Sequence, residues 1–250
     1  MTERSIDFQV GGLQPLTMID FPGRLAAVIF AQGCNFRCRF CYNRTLLPDR
    51  SRDTLSWNSI IEFLKDRQGF IEGVVFSGGE PCRQESFIRA LEQVRDLGFE
   101  TALHTNGFYL ETVETALKLR LLNYIAVDFK TSLSRYQEVT GEKIEEERWQ
   151  KLLDVIVDSG IRHEIRTTVH PEIVSESEVM QMAEQLHDAK IEKFVLQKFQ
   201  YGEALDRKLA SINSLGIRQA ALLRLGSLFP EFEIRGDASS EISFKERKTA

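Results

Sequence analysis

The chain has 250 residues, 42% of them hydrophobic and 28% charged, enough apolar material for one sizeable core or two small ones. Its 32 basic and 37 acidic side chains leave a formal charge of −5, which argues against a surface built to neutralise nucleic-acid phosphates. The charged opening MTERSIDFQVGG lacks the apolar centre of a secretory signal, and no run approaches the roughly 20 apolar residues of a membrane span, so a cytoplasmic protein with neither membrane nor nucleic acid as partner is expected.

Short runs rich in Val, Ile, Phe and Ala predict strands at LAAVIF (25–30), GVVF (73–76), ETALH (100–104), YIAVDF (124–129), HEIRTTV (163–169) and KFVLQKF (193–199). Several are apolar on both faces, as buried parallel strands are. Between them, Trp57, Ile60, Ile61 and Leu64 recur at helical spacing. So do Phe87, Leu91 and Val94, then Val113, Ala116 and Leu117, then Trp149, Leu152, Leu153 and Ile156, and finally Val179, Met182, Ala183 and Leu186. Each set predicts an amphipathic helix with one face on a sheet. Beyond residue 200, SINSLGIRQAALLRLGSLF can supply a helix and EFEIR (231–235) an extended segment, while DASSEISFKERKTA (237–250) reads as a polar tail. Strand followed by helix, at least five times over, predicts right-handed crossovers and a parallel sheet, either open or curled into a barrel. In both architectures function collects at the carboxyl ends of the strands.

After the first predicted strand come Gly33 and then Cys34, Cys38 and Cys41, spaced C-x3-C-x2-C; the fourth cysteine, Cys82, lies 41 positions beyond Cys41. In a reducing compartment, grouped cysteines bind metal or do redox chemistry rather than form structural bridges. Three soft thiolates suit zinc or an iron-sulfur cluster. A structural zinc would need a fourth ligand, from Cys82 or His104 by way of the fold, whereas a cubane cluster on three cysteines leaves one iron open; the spacing suits iron-sulfur better, and zinc stays open. Arg37, Arg39 and Arg44 interleave with the cysteines, as a solvated loop or as a patch for an anionic ligand or acidic partner.

The second strand runs into FSGGEPC (76–82). Here Ser77, Gly78 and Gly79 allow a sharp turn and close approach of the backbone, and Glu80 can accept hydrogen bonds from an ammonium; the lysine of a phosphate loop is missing. HTNG (104–107) follows the third strand and DFK (128–130) the fourth, while the fifth supplies Arg166 and ends at His170-Pro171. Singly, each can be a turn or a satisfied polar contact. Together they place amide, carboxylate, ammonium and guanidinium groups around one rim.

C-x3-C-x2-C after the first strand, with Phe40 just before the last cysteine, and then G-G-E-P after the second, resembles the radical S-adenosylmethionine superfamily over residues 13 to 200. Within it, LTMIDFPGRLAAVIFAQGCNFRCRFCYNRTLL, DFK and YQEVTG (136–141) are similar to activating enzymes of glycyl-radical enzymes, most of all to the activating protein of anaerobic ribonucleoside-triphosphate reductase. Tyr42 stands where many of these have histidine, and Cys82 where threonine is frequent.

The resemblance implies an α/β fold, a partial (β/α)6 barrel, formed by a single domain over residues 1–236 with an N-terminal extension. Cys34, Cys38 and Cys41 would hold a [4Fe-4S] cluster whose open iron takes the amino and carboxylate groups of S-adenosylmethionine. Phe40 would contact the adenine, Gly78, Gly79 and Glu80 would serve the methionyl amino group, and Ser77 would be a further cofactor contact. Asp128 and Lys130 would face the ribose and carboxylate region and Arg166 the carboxylate, with Asn43, Asn106 and His170 as further cofactor contacts. The implied activity is reductive cleavage of the cofactor to a 5'-deoxyadenosyl radical that takes a hydrogen atom from one glycine of a partner enzyme, with flavodoxin or a similar protein as electron donor. No acid-base residue is required, so the cofactor ligands are the only site residues expected. Two other readings are a small radical enzyme acting on a metabolite, such as a 7-carboxy-7-deazaguanine synthase, and a non-catalytic metal module.

Overall fold

The expected alternation of strand and helix is present in a computed structural model, which describes residues 6–200, 204–209, 214–236 and 242–245. The chain divides into two units, one of Met1–Asn35 and Asn43–Ala126, the other of Phe36–Tyr42 and Val127–Ala250.

The first unit contains β1 (Val10–Thr17), β2 (Ala26–Ala31), α1 (Trp57–Asp66), β3 (Gly73–Gly78), α2 (Phe87–Asp96), β4 (Glu100–Thr105), α3 (Leu110–Lys118) and the start of β5 (Tyr124–Asp128). β2, β3 and β4 lie side by side in chain order and parallel, with Val28 opposite Val75 and Val75 opposite Ala102. β1 adds antiparallel to β2. That strand has no counterpart in the sequence expectations, because VGGLQPLT carries a proline and no alternating apolar pattern; it is tolerated at a sheet edge, where the missing N–H of Pro15 is not needed.

The helices form where the periodicity placed them. α1 opens on Ser56, whose hydroxyl accepts the Ser59 N–H (3.1 Å), and it buries Trp57, Ile60, Ile61 and Leu64. Phe8 meets Trp57 and Phe76 edge-on, at 5.3 and 5.7 Å between ring centres. The segment 17–23 that resembles the activase lead is a structural device. The Thr17 hydroxyl accepts the N–H groups of Ile19 and Asp20 (3.3 Å each) and donates to the Asp20 carboxylate, a turn that delivers Phe21 into a cluster with Val28, Val75, Ala102 and Tyr124.

The second unit holds the end of β5, α4 (Tyr136–Thr140), α5 (Glu146–Asp158), β6 (Arg162–Val169), α6 (Glu176–Asp188), β7 (Lys193–Lys198), α7 (Gln219–Leu228), β8 (Glu231–Arg235) and β9 (Ile242–Lys245). β6, β7 and β8 are parallel neighbours, and β9 closes antiparallel on β8. β9 falls within the segment expected to be a polar tail, whose other residues lie outside those described. The helix expected over 211–229 spans only Gln219–Leu228; residues 211–213 are likewise outside. α6 begins with a reciprocal cap, Ser175 and Glu178 each bonding the other's backbone N–H.

Counted from β2, six strands are each followed by a helix, so the chain is α/β as expected. No described helix is long and apolar enough to cross a membrane. In the second unit Trp149 of α5 stacks on Phe129 at 4.3 Å and is 1% exposed. Trp149→Ala should therefore lower the unfolding free energy by about 3–5 kcal/mol, the usual cost of emptying a large aromatic site, as read from urea denaturation.

Candidate active site

The cysteine loop begins at the carboxyl end of β2. All four cysteines are thiols rather than half-cystines; Cys34 and Cys41 are partly exposed, Cys38 and Cys82 buried. In the first unit the entry to the loop is pinned by backbone bonds, Gly33 and Cys34 donating to the carbonyls of Leu46 (2.8 Å) and Leu47 (3.2 Å). Glycine is required at two places here. Gly78 has φ +106, and a Cβ on it would stand 2.6 Å from the Ala31 nitrogen; a Cβ on Gly79 would stand 2.2 Å from the Gly33 oxygen. The close approach expected from the glycine pair is thus made to the backbone of β2, with Gly79 and Glu80 donating to Ala31 and Gly33 (2.9 and 2.8 Å).

Glu80 is fully buried. Its Oε1 accepts from the Thr105 hydroxyl (2.7 Å) and the Cys82 N–H (3.0 Å), and its Oε2 from the Asn106 N–H (2.7 Å). Burial pushes its carboxyl up, and these donors pull the other way. Each of the three donors comes from the turn after β3 or the end of β4, so the carboxylate ties two strand ends together. Asn106 extends the chain: its Oδ1 accepts the Phe108 N–H (3.0 Å) and its Nδ2 donates to Asn35 Oδ1 (2.9 Å). Cys82, inside a short 3-10 turn (Pro81–Arg83), is 3% exposed; burial first, and the Glu80 charge second, drive its thiol well above the ordinary range.

The rest of the loop lies in the second unit, where its backbone is held from both directions. Arg37 and Arg39 donate their N–H groups to Thr140 (2.6 Å) and Val139 (3.1 Å), the last carbonyls of α4, while the carbonyls of Arg39 and Cys41 accept from Asp206 (2.8 Å) and Leu205 (2.9 Å). This accounts for YQEVTG: α4 ends on Gly141 with φ +85, and its open carbonyls are capped by the cysteine loop. Arg39, expected either in solvent or on an anion, instead pairs with Asp206 (2.9 Å) and Glu172 (3.9 Å). Tyr42 stacks on Phe199 at 5.5 Å, and its hydroxyl accepts the Gln200 N–H (2.6 Å).

Asp128, at the end of β5, accepts from Arg166 Nε (2.8 Å) and Lys130 Nζ (2.8 Å). Burial alone would raise its carboxyl; the charges of Arg166 and Lys130 outweigh it and hold the group well below the ordinary carboxylate range. Lys130 is held above its usual value by Asp128 and then Cys38, against the opposing effect of burial. Its ammonium also stands 5.6 Å from the centre of the Phe40 ring. Lys130 and Arg166 thus converge on the one Asp128 carboxylate. Tyr136, buried beneath, accepts the Lys130 N–H and donates to the Asp128 carbonyl (3.3 and 3.4 Å).

The structure therefore joins Glu80 with Asn106, and Asp128 with Lys130, Arg166 and Phe40. His170 is buried, accepts the Glu172 N–H (3.2 Å) and packs edge-on against Phe199 (5.1 Å). Asn43 is exposed at the start of a short 3-10 turn, and Ser77 is half-buried opposite Phe30. Thr105, Tyr136, Asp206 and Asn35 are supporting residues that the sequence analysis did not single out. Asn35, beside Cys34, and Thr105, beside Asn106, could have been suspected from adjacency; Asp206 carried no signal.

Residues 28–197 match the Radical SAM superfamily, and the chain belongs to it. The superfamily's cofactors, a [4Fe-4S] cluster and S-adenosylmethionine, are this chain's cofactors, and three closely spaced thiols are the ligand type such a cluster takes. A protein of Methanocaldococcus jannaschii named as a glycyl-radical enzyme activating enzyme is 29% identical over 211 residues, 81% of this chain and 85% of its own length. The pyruvate formate-lyase-activating enzyme of Clostridium pasteurianum is 28% identical over 68% of this chain and 72% of its own. Among solved structures, Streptococcus suis SuiB bound to S-adenosylmethionine is similar in fold, with a TM-score of 0.63 at 19% identity over 84% of this chain; the match spans half of the SuiB chain.

Gly79→Ala should displace the backbone beside Cys34, lowering thermal stability and the iron retained after reconstitution, whereas Ser77→Ala should change neither by much; melting curves and iron analysis report both. Because the Asp128 carboxyl is depressed in the folded state, its stabilisation is complete above the unfolded value near pH 4 and is lost as pH falls below it. The unfolding free energies of wild type and Asp128→Asn should differ by about 3 kcal/mol at neutral pH and converge as pH drops below about 4, as followed by urea titration across that range.

Proposed function

We propose that the protein is an activating enzyme that installs a glycyl radical on a partner enzyme, and that the partner is an anaerobic ribonucleoside-triphosphate reductase. The observation that carries the activase reading is the likeness to the M. jannaschii protein along four-fifths of both chains. The reductase is favoured by the lead Thr17–Gly23 and by the segment Cys34–Asn43, which resemble that activating protein. A flavodoxin-like protein is the proposed electron donor.

Cys34, Cys38 and Cys41 would ligate the cluster, which when bound delivers one electron to the sulfonium of S-adenosylmethionine and so generates the hydrogen-abstracting radical. The chain's own residues bind and orient. Arg166 and Lys130, two cations on one carboxylate, would receive the methionyl carboxylate, and Phe40 the adenine. Ser77, Gly78 and Gly79 would present backbone groups to the methionyl ammonium. Glu80 assists by fixing the turn, since two backbone N–H groups and one hydroxyl already occupy its oxygens. Asn43, Asn106 and His170 complete the proposed cofactor set. Holding donor and acceptor in register is the protein's share of the catalysis, so the catalytic residues are the cofactor ligands.

Anaerobic incubation of the reconstituted protein with reductant, S-adenosylmethionine and a reductase should give a glycyl-radical signal in electron paramagnetic resonance. Alanine at Cys34, Cys38 or Cys41 should abolish it, and Cys82→Ala should keep much of it. Turnover of the cofactor with a small metabolite, and no radical on any glycyl-radical enzyme, would replace the activase reading with a metabolite-directed one; one zinc and no iron would remove both.

A further inference from the structure

Four side-chain nitrogens among the described residues are shielded from water and meet no acceptor: Arg24 Nε, Asn35 Nδ2, Trp149 Nε1 and His163 Nε2. A buried donor left without an acceptor costs about 1–3 kcal/mol and calls for an explanation. Arg24 precedes β2, His163 is at the start of β6 and Trp149 belongs to α5. Asn35 lies just past the carboxyl end of β2, and of the four it alone adjoins a cysteine, Cys34.

The orientation of its amide is set by the network. The backbone N–H of Phe108 can only donate, so the atom of Asn106 that meets it is oxygen. The other end of that amide is then nitrogen, which must donate, and the atom of Asn35 that meets it is oxygen. Nδ2 of Asn35 is therefore the atom left over, and turning the amide over would place two nitrogens against each other. Asn106 is in turn anchored by Glu80, so the chain from Glu80 through Asn106 ends in one oriented, unused N–H pair beside a cysteine.

We propose that Asn35 Nδ2 is a hydrogen-bond donor held for an anionic acceptor of the bound cofactors, either a sulfur of the cluster on Cys34 or the carboxylate of S-adenosylmethionine. The inference rests on the reading that Cys34 ligates the cluster. Both acceptors share one chemistry, an electron-rich atom that arrives only with the cofactors. A donor to a cluster sulfur raises the reduction potential; a donor to the carboxylate tightens binding.

Asn35→Asp separates this role from simple support of Asn106. Its carboxylate keeps an oxygen for Asn106 Nδ2 but has no N–H to give, whereas Asn35→Ala loses both. Each variant is reconstituted anaerobically and its iron content measured. The midpoint potential is then titrated by electron paramagnetic resonance without S-adenosylmethionine, and the affinity for S-adenosylmethionine is measured by equilibrium binding. If the acceptor is cluster sulfur, both variants show a more negative potential, or reduced iron with the fold intact by circular dichroism. If it is the carboxylate, the potential is unchanged and Kd rises about tenfold in both. Wild-type potential, iron and Kd in Asn35→Asp would overturn the proposal, whatever Asn35→Ala does, and leave Asn35 as an acceptor for Asn106 only. Full iron in Cys34→Ala would instead remove the premise, an outcome independent of Asn35.

Discussion

The loop carrying Cys38 and Cys41 has no regular structure of its own, and its geometry depends on backbone hydrogen bonds supplied from far along the chain. Its amides at Arg37 and Arg39 end on α4, and its carbonyls at Arg39 and Cys41 are met by Leu205 and Asp206. A loop with unpartnered polar backbone would either open to water or sample many shapes. Held this way, the backbone around Cys38 and Cys41 has one path, and the Arg39 pair with Asp206 adds a side-chain tie at the same place. The helix gains equally, because a five-residue helix leaves carbonyls that need donors.

In the other unit a carboxylate does the comparable work. Glu80 is an expensive group to bury, and three donors offset that cost while converting it into a connection between the turn after β3 and the end of β4. The glycine pair before it makes the connection possible by letting β3 come against the backbone of β2 closer than any side chain permits. A motif expected to touch a ligand thus has a structural duty first.

The charge group of Asp128, Lys130 and Arg166 follows a different logic. One carboxylate between two cations is an arrangement already in place without a ligand. Such a group can accept an anion with little rearrangement, which lowers the cost of ordering side chains at the moment of binding.

Much of this was legible before folding is considered. Periodicity located the helices because burial of one face is a local property of spacing, as Trp57, Ile60, Ile61 and Leu64 or Trp149, Leu152, Leu153 and Ile156 illustrate. The strands β2 to β7 were legible as apolar runs, while β1 and β9 were not, since edge strands need no apolar pattern. The cysteine spacing and G-G-E-P identified the chemistry, because a cluster demands particular ligands whatever the scaffold. The partners of those residues had to wait for the tertiary structure. That Glu80 is saturated by Thr105, Cys82 and Asn106, that Asp206 braces Arg39, and that Asn35 keeps one donor unused are consequences of which loops meet. The amino-acid sequence by itself determined what the chain can bind; three-dimensional packing alone decided which polar groups are already engaged, because hydrogen bonds between distant segments leave no trace in local spacing.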